Sequence, residues 1–290
     1  MKFGFAPLNN VSGVHPAALG QHLEERGFES VWMPEHSHIP TIRQTEYVAG
    51  GELPGGYYQM MNPFISLAAM IPATSALILA TGVAQPLAHD LIDLAKTVAT
   101  LDVLSGHRVI LGAGAGWNRE ELANHRDDIP FGRRYEALEQ RLEALRLIWS
   151  TPTPRFSGTW DSFTESVIDP KPESGSIPIA LGLAGAKGML ISARIADEWC
   201  PIDAFLRNDE GRHDVGFAAA KFRRAVEDFG RDPATVPMTM FYSGPVRPAR
   251  LEACRAADID RLVFLTISMD TDDHDATMRR LDEIAPYITK

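Results

Sequence analysis

Residues 91–118 read LIDLAKTVATLDVLSGHRVILGAGAGWN. Apolar residues fall at Leu91, Leu94, Ala95, Val98, Leu101 and Leu104, the spacing of one helix face. The stripe ends at Ser105-Gly106-His107-Arg108, where positive charge suits a helix C-terminus. Val109–Leu111 then runs apolar without polar alternation and passes into Gly112-Ala-Gly-Ala-Gly-Trp-Asn118. A strand that is apolar on both faces belongs in a parallel sheet covered by helices. Helix, turn, strand and glycine-rich turn therefore make one period of an α/β protein.

The same period recurs on both sides. Lys2–Phe5 reads as a strand and Pro16–Arg26 as a helix stopped by Gly27. Ser30–Met33 is a second strand ending at Pro34, Pro63–Pro72 a helix, and Leu77–Val83 a third strand. Tyr135–Trp149 is amphipathic, with Leu138, Leu142, Leu145 and Trp149 on one side. Beyond it, strands at Pro178–Leu181, Glu198–Cys200, Met238–Tyr242 and Leu262–Leu265 alternate with helices at Lys187–Ala196, Phe217–Phe229, Ala249–Ala256 and Asp275–Ile284. Eight β-then-α units in 290 residues favour a closed (β/α)8 TIM barrel spanning residues 1–290 as one domain. An open doubly wound sheet is the alternative, because spacing does not give strand order. Two stretches exceed a minimal barrel: an insertion loop after the second strand, His36–Asn62, and Thr151–Ile177 before the fifth, which reads as a small hairpin plus a turn. The first follows a strand's C-terminal end, where barrel enzymes keep their chemistry, and reads as lid and substrate wall.

Composition narrows the function. The chain carries 28 Lys and Arg against 38 Asp and Glu, a net charge of −10, without a basic cluster. That excludes the cationic face that nucleic acid or an anionic membrane needs. No apolar run approaches the roughly 20 residues that span a bilayer. The two cysteines, Cys200 and Cys254, make no disulfide framework and suggest a reducing, cytoplasmic setting.

In a barrel, strand C-termini converge on one face. These ends are Pro34-Glu35-His36-Ser37-His38, Thr81-Gly82-Val83-Ala84-Gln85-Pro86, Gly112 to Asn118, and Gly182-Leu-Ala-Gly-Ala-Lys-Gly188. His36 and Glu35 are the acid–base candidates, since imidazole titrates near neutrality. Gly182–Gly188 leads into a helix, whose amide-rich N-terminus suits a phosphate; a flexible turn is the plainer alternative. Gly112–Gly116 lacks the Gly-x-Gly-x-x-Gly spacing of a nicotinamide site. Glu35, His36 and His38 lie too close in sequence to complete a metal shell, so no metal is expected. Trp32 is expected to pack between barrel and helices, and Cys200 to be an inert buried thiol. Tyr47, Tyr57, Tyr58, Met60 and Met61 in the lid suggest a partly apolar small-molecule substrate.

Three ordered motifs carry a resemblance. Glu24-Glu-Arg-Gly-Phe-Glu-Ser-Val-Trp-Met-Pro-Glu-His36, Leu94-Ala-Lys-Thr-Val-Ala-Thr-Leu-Asp-Val-Leu-Ser-Gly-His-Arg108 and Gly112-Ala-Gly-Ala-Gly-Trp-Asn-Arg-Glu-Glu121 resemble segments of the bacterial luciferase-like flavin and deazaflavin oxidoreductases. His107 stands where that family usually has a second glycine. Phe156-Ser-Gly, Asp169-Pro-Lys-Pro172 and Ile195-Ala-Asp-Glu-Trp199 extend the likeness across the chain.

The resemblance implies a barrel holding coenzyme F420, or alternatively FMN, at its C-terminal face. It places His36 near the reactive ring edge with Glu35 beside it, and a non-prolyl cis peptide at Gly82-Val83 behind the ring. The implied cofactor-binding set is Thr81, Gly82 and Val83; Gly114, Ala115, Gly116 and Asn118; and Leu183, Ala184, Gly185, Ala186, Lys187 and Gly188. Ala115 stands where some F420-dependent sugar-phosphate dehydrogenases have a proton-donating Glu, which argues against that reaction. The implied activity is F420-dependent hydride transfer between deazaflavin C5 and a small organic substrate. The alternative is an FMN-dependent monooxygenase using O2 and a partner reductase. A homodimer is implied by the same likeness.

Overall fold

The structure, a computed structural model, describes residues 1–266 and 273–288. Among the described residues eight strands form one sheet in the order β8-β7-β4-β3-β2-β1-β10-β9. They are β1 (Lys2–Ala6), β2 (Ser30–Met33), β3 (Ile78–Thr81), β4 (Val109–Ala113), β7 (Ile179–Leu181), β8 (Glu198–Trp199), β9 (Thr239–Tyr242) and β10 (Arg261–Leu265). Every neighbouring pair is parallel. Bridges from Trp199 to Met238 and from Ile202 to Phe241 join β8 to β9 and close the ring. This is the (β/α)8 barrel, and the open sheet is excluded. The strands β5 (Phe156–Ser157) and β6 (Ser162–Phe163) pair as the separate hairpin expected before β7.

The helices are α1 (Pro16–Glu25), α2 (Pro63–Met70), α3 (Leu91–Ser105), α4 (Arg119–His125), α5 (Arg134–Ser150), α6 (Gly185–Ile195), α7 (Val215–Asp228), α8 (Pro248–Ala256) and α9 (His274–Ile288). Their boundaries follow local chemistry. Asp90 caps α3 by accepting the Ile92 and Asp93 amides, and Gly106 ends it at φ +69°. Beyond Gly106, His107 Nδ1 pairs with Asp102 at 2.8 Å. Helix α4 was absent from the sequence reading, because its seven residues are too few to show a periodic stripe. β3 stops at Thr81, two residues short of the expected end: the chain leaves the ladder at the cis Gly82–Val83 peptide, and Ala84 N–H donates to Gly112 O at 2.7 Å.

Alternation along each strand divides the core. Phe3, Phe5, Val31, Met33, Leu79 and Leu111 pack in the large cluster with helix residues such as Leu19, Leu94 and Leu138. Ala6, Trp32, Ala80, Ile110, Ala180, Cys200, Phe241 and Val263 form a second cluster inside the barrel. Trp32 therefore fills the barrel interior rather than the layer outside it. Val31 and Met33 take the outward positions of β2, so the two-residue period turns Trp32 inward. Alanines on neighbouring strands leave it room; its ring meets Phe241 edge-on at 5.5 Å and its N–H donates to Ser30 Oγ at 3.0 Å.

The N-terminal end of the barrel is plugged by Arg261. It donates to Glu29 at 2.8 and 2.9 Å, to Glu198 at 2.6 Å and to Thr239 at 2.8 Å. On the outside, the buried Arg141 of α5 grips both oxygens of Asp161 in the hairpin and the carbonyls of Pro86 and His89. That contact fixes the loop after β3, which reaches the opposite, C-terminal end. Among the described residues no helix is long and apolar enough to cross a membrane.

Candidate active site

The C-terminal end of the barrel opens into a cavity of about 450 Å³. Its glycines lie at strand ends, where side chains would collide. A Cβ on Gly114 would fall 2.8 Å from Val83 Cγ2, and one on Gly182 would fall 2.7 Å from Val83 Cγ1. Val83 thus nests between two bare backbone segments and, with Gly82, forms a low apolar floor. Gly116 at φ +72° turns the chain after β4 and brings Trp117 to the wall. Leu8, Ile202, Phe205 and Leu265 add apolar wall from other strand ends, and the insertion loop after β2 contributes Val48, Tyr57 and Met60.

His36 stands in this wall with both ring nitrogens engaged. Its Nδ1 lies 2.6 Å from Glu121 Oε2, and Trp117 Nε1–H donates to its Nε2 at 3.1 Å. Glu121 is fully buried on α4. Asn118, the residue before the helix, accepts the amides of Glu120 and Glu121 and so aims that first turn. Burial alone would raise the Glu121 pKa. The contact with His36, the Ser37 amide and the Gln85 side chain outweigh it, and the carboxyl is held below its ordinary value. The result is an imidazole–carboxylate dyad beside the glycine floor.

Glu35 is also buried, but its two oxygens are spent on the loop after β3. One accepts the Gln85 amide at 2.7 Å and the other pairs with His89 Nε2 at 2.8 Å. Gln85 returns a hydrogen bond from its side chain to Glu35 O at 3.1 Å. The insertion loop meets the dyad through rings: Tyr57 lies 5.4 Å from His36, and Tyr47 lies 5.5 Å from Tyr57 and 5.8 Å from Trp117. Burial pushes the Tyr57 hydroxyl pKa far up, so it stays protonated.

Beyond the floor, Ala184 precedes α6 and supplies no side-chain cap, and the helix's first turn holds no acidic residue. Its amide donors are left to a ligand or water. Gly188 is required for packing, since a Cβ there would meet Leu183 at 2.8 Å. Arg134 and Lys187 bring positive charge to the same region, sharing the Tyr135 ring at 4.7 and 5.7 Å. Arg134 spends donors on the Gly116 and Phe131 carbonyls. Its pKa is lowered by burial, to which the like charge of Arg119 adds.

Of the residues singled out in sequence, Glu35, His36, Gly82, Val83, Gly114, Ala115, Gly116, Leu183 and Ala184 line one cavity. Gly185, Ala186, Lys187 and Gly188 continue from it into α6. Thr81 is not in the wall; its hydroxyl donates to Gly112 O at 2.7 Å inside the sheet. Asn118 is not in the wall either, and besides capping α4 it keeps a buried Nδ2 without a partner. Tyr58 is 61% exposed and does not face the cavity. Cys200 is buried in the barrel with its pKa pushed up by burial, an unreactive thiol. Sequence reasoning missed Glu121, Gln85, Trp117 and Arg134. The signal for Glu121 was its place in the Asn118-Arg-Glu-Glu121 run, where Asn118 can cap a helix. Among the described residues no group of His, Cys, Asp and Glu is arranged to hold a metal.

Residues 15–288 match the family described as luciferase-like monooxygenase. The uncharacterized protein Rv0953c of Mycobacterium tuberculosis is 40% identical over 203 residues, covering 69% of this chain and 71% of that protein. The crystal structure of monooxygenase RslO1 from Streptomyces bottropensis is similar with a TM-score of 0.76 at 18% identity, over 100% of this chain and 99% of that one. An F420-dependent secondary alcohol dehydrogenase in complex with an F420-acetone adduct is similar with a TM-score of 0.74 at 16% identity, over 98% of this chain and 97% of that one. At these identities the two structural likenesses are of fold.

Proposed function

The chain belongs to the luciferase-like monooxygenase family, and from that premise we propose that it is a coenzyme F420-dependent oxidoreductase acting on a small organic substrate. The observation that carries this reading is the His36–Glu121 dyad, 2.6 Å apart, whose imidazole lines a cavity floored by Val83 and glycine. When bound, a deazaflavin supplies the carbon that takes or gives a hydride. Moving a hydride to or from a carbon that bears oxygen leaves a proton to be handled, and His36 is the titratable ring placed to handle it. Glu121 orients that ring and stabilises its charged form, while Glu35 works at one remove by locking Gln85 and His89.

The residues present fit such a cofactor. A planar ring needs a floor without projecting side chains, and the close contacts that a Cβ at Gly114 or Gly182 would make show how tightly that floor is closed. A ribityl phosphate needs donors, and the uncapped N-terminus of α6 offers them beside Lys187 and Arg134. The second reading is an FMN-dependent monooxygenase. It is favoured by the apolar wall of Leu8, Val48, Met60 and Phe205, which would keep water from an oxygen-reactive ring.

Titration of the apo-protein with F420 and with FMN, followed by fluorescence, tests both. F420 binding, with turnover across carbonyl, alcohol and enone substrates that His36→Ala abolishes without loss of binding, is the expected result. Binding of FMN alone would move the protein to the second reading, and binding of neither would end both.

A further inference from the structure

We infer that Trp117 is a positioning residue: its indole N–H holds His36 as the neutral ring, with the proton on Nδ1 and the Nε2 lone pair committed until Trp117 moves. This rests on the reading of His36 as the proton-handling group. An indole nitrogen only donates. The 3.1 Å contact from Trp117 Nε1 therefore requires a bare Nε2 on His36. On the other side of the ring, Glu121 is buried and held ionised, so it only accepts, and the 2.6 Å contact requires a proton on Nδ1. The two neighbours together select one tautomer of a ring that has two.

They also pull its charge in opposite directions. Glu121 favours the imidazolium, whereas a proton on Nε2 would set two N–H groups against each other. The remaining groups around the ring do not change that balance of donors. Gln85 sits 3.3 Å from Nδ1 and turns its amide toward Glu35 O and Glu121. Tyr57 approaches by its ring, with its hydroxyl turned to Tyr47 at 3.2 Å. Glu35 and His89 pair at 2.8 Å behind Gln85, and Ser37, which donates to the other Glu121 oxygen from its amide and its hydroxyl, links that carboxylate to His38 and His125.

Trp117 is itself held from the lid. Tyr47 meets its ring edge-on at 5.8 Å, and the Arg43 guanidinium lies over it at 5.5 Å. A shift of the lid thus frees Nε2 through Trp117. A ligand that donates an O–H or N–H to Nε2 takes the place the indole holds.

The test uses the protein alone, with imidazole nitrogens labelled by ¹⁵N and followed by NMR from pH 5 to 9, so failure of either cofactor to bind does not touch it. The expected wild-type spectrum shows His36 at neutral pH with Nδ1 protonated and Nε2 bare, and the Trp117 indole proton moving at the pH where His36 titrates. Trp117→Phe keeps an aromatic ring and removes the donor. His36 in that variant should take its second proton about one pH unit higher, a tenfold gain in proton affinity. A wild-type His36 carrying its proton on Nε2, or a folded W117F with an unchanged midpoint, would overturn the inference. Should W117F fail to fold, the wild-type tautomer and the indole resonance still decide it.

Discussion

His36 Nδ1 and Glu121 Oε2 meet at 2.6 Å across 85 residues of sequence. Each is placed by a different strand end: His36 by the turn after β2, Glu121 by the capped helix that follows β4. Convergence of strand ends is what a barrel provides, and it makes an imidazole that neither segment could orient alone. Glu121→Gln keeps the size of the side chain but replaces an obligatory acceptor by an amide that can also donate. The His36 tautomer is then no longer enforced. Turnover should fall about 10²–10⁴-fold, the usual scale of a general acid–base contribution, while cofactor affinity stays unchanged. Parallel measurement of kcat and of cofactor Kd checks this, and a loss confined to Kd would remove Glu121 from the dyad.

The same carboxyl makes stability depend on pH. The folded pKa of Glu121 lies below its unfolded value, because the contact with His36 and the donors of Ser37 and Gln85 outweigh burial. Its contribution is therefore complete above the unfolded value, about 4.3, and is lost as pH falls through the folded one. Urea unfolding of the wild type and of Glu121→Gln between pH 7 and 3 should show a gap that narrows toward acid. A constant gap would mean that the Glu121 charge does not contribute.

How much of this could be read beforehand differs by scale. The barrel was legible because apolar strands and striped helices repeat along the whole chain, and each repeat is a local pattern. His36, Val83 and Gly114 were legible because strand ends in a barrel must face one mouth. Glu121 was not, because a short helix shows no stripe and its carboxylate looks like any surface Glu until the fold buries it. Trp32 was misplaced for a related reason: an apolar strand gives no sign of which face turns inward. That depended on Ala6, Ala80 and Ala180 leaving space inside the ring.

The floor can be tested by filling it. Gly182→Ala adds a methyl 2.7 Å from Val83 Cγ1, too close for either to stay. Val83 must shift into the cavity, at a cost to stability of about 1–3 kcal/mol, and cofactor affinity should fall at least tenfold. Val83→Ala in the same chain returns the space. The double variant should be more stable than Gly182→Ala, and non-additivity in a double-mutant cycle is the measurement that checks it.

At the phosphate end, charge rather than shape is at issue. Lys187 stands in the first turn of α6 with no acidic neighbour in that turn. Lys187→Gln should weaken F420 about 5–10-fold at low salt and leave the bare ribityl deazaflavin, which lacks the phosphate, unaffected. Equal weakening of both ligands would place Lys187 against the ring instead.

At the far end of the barrel the chain stakes its stability on Arg261. Its side chain is 8% exposed and faces Glu198, itself 6% exposed, with Glu29 on the other side. Glu29 is raised by burial but brought below its ordinary value by the guanidinium, and the Arg261 pKa is correspondingly raised by both carboxylates. Arg261→Met fits the space and removes every donor. It leaves Glu198 buried without its ion pair, and Glu29 with Lys2 at 3.3 Å and the Ser30 side chain. An uncompensated buried carboxylate costs about 3–5 kcal/mol, more than a methionine's packing returns. Urea midpoints should drop accordingly, and adding Glu198→Leu should recover much of the loss by removing the stranded charge. Cofactor affinity should not change in the folded fraction, because the buried layer around Trp32 and Phe241 separates the plug from the cavity floor. A drop below about 1 kcal/mol would show that water reaches Glu198 and that the plug is not closed.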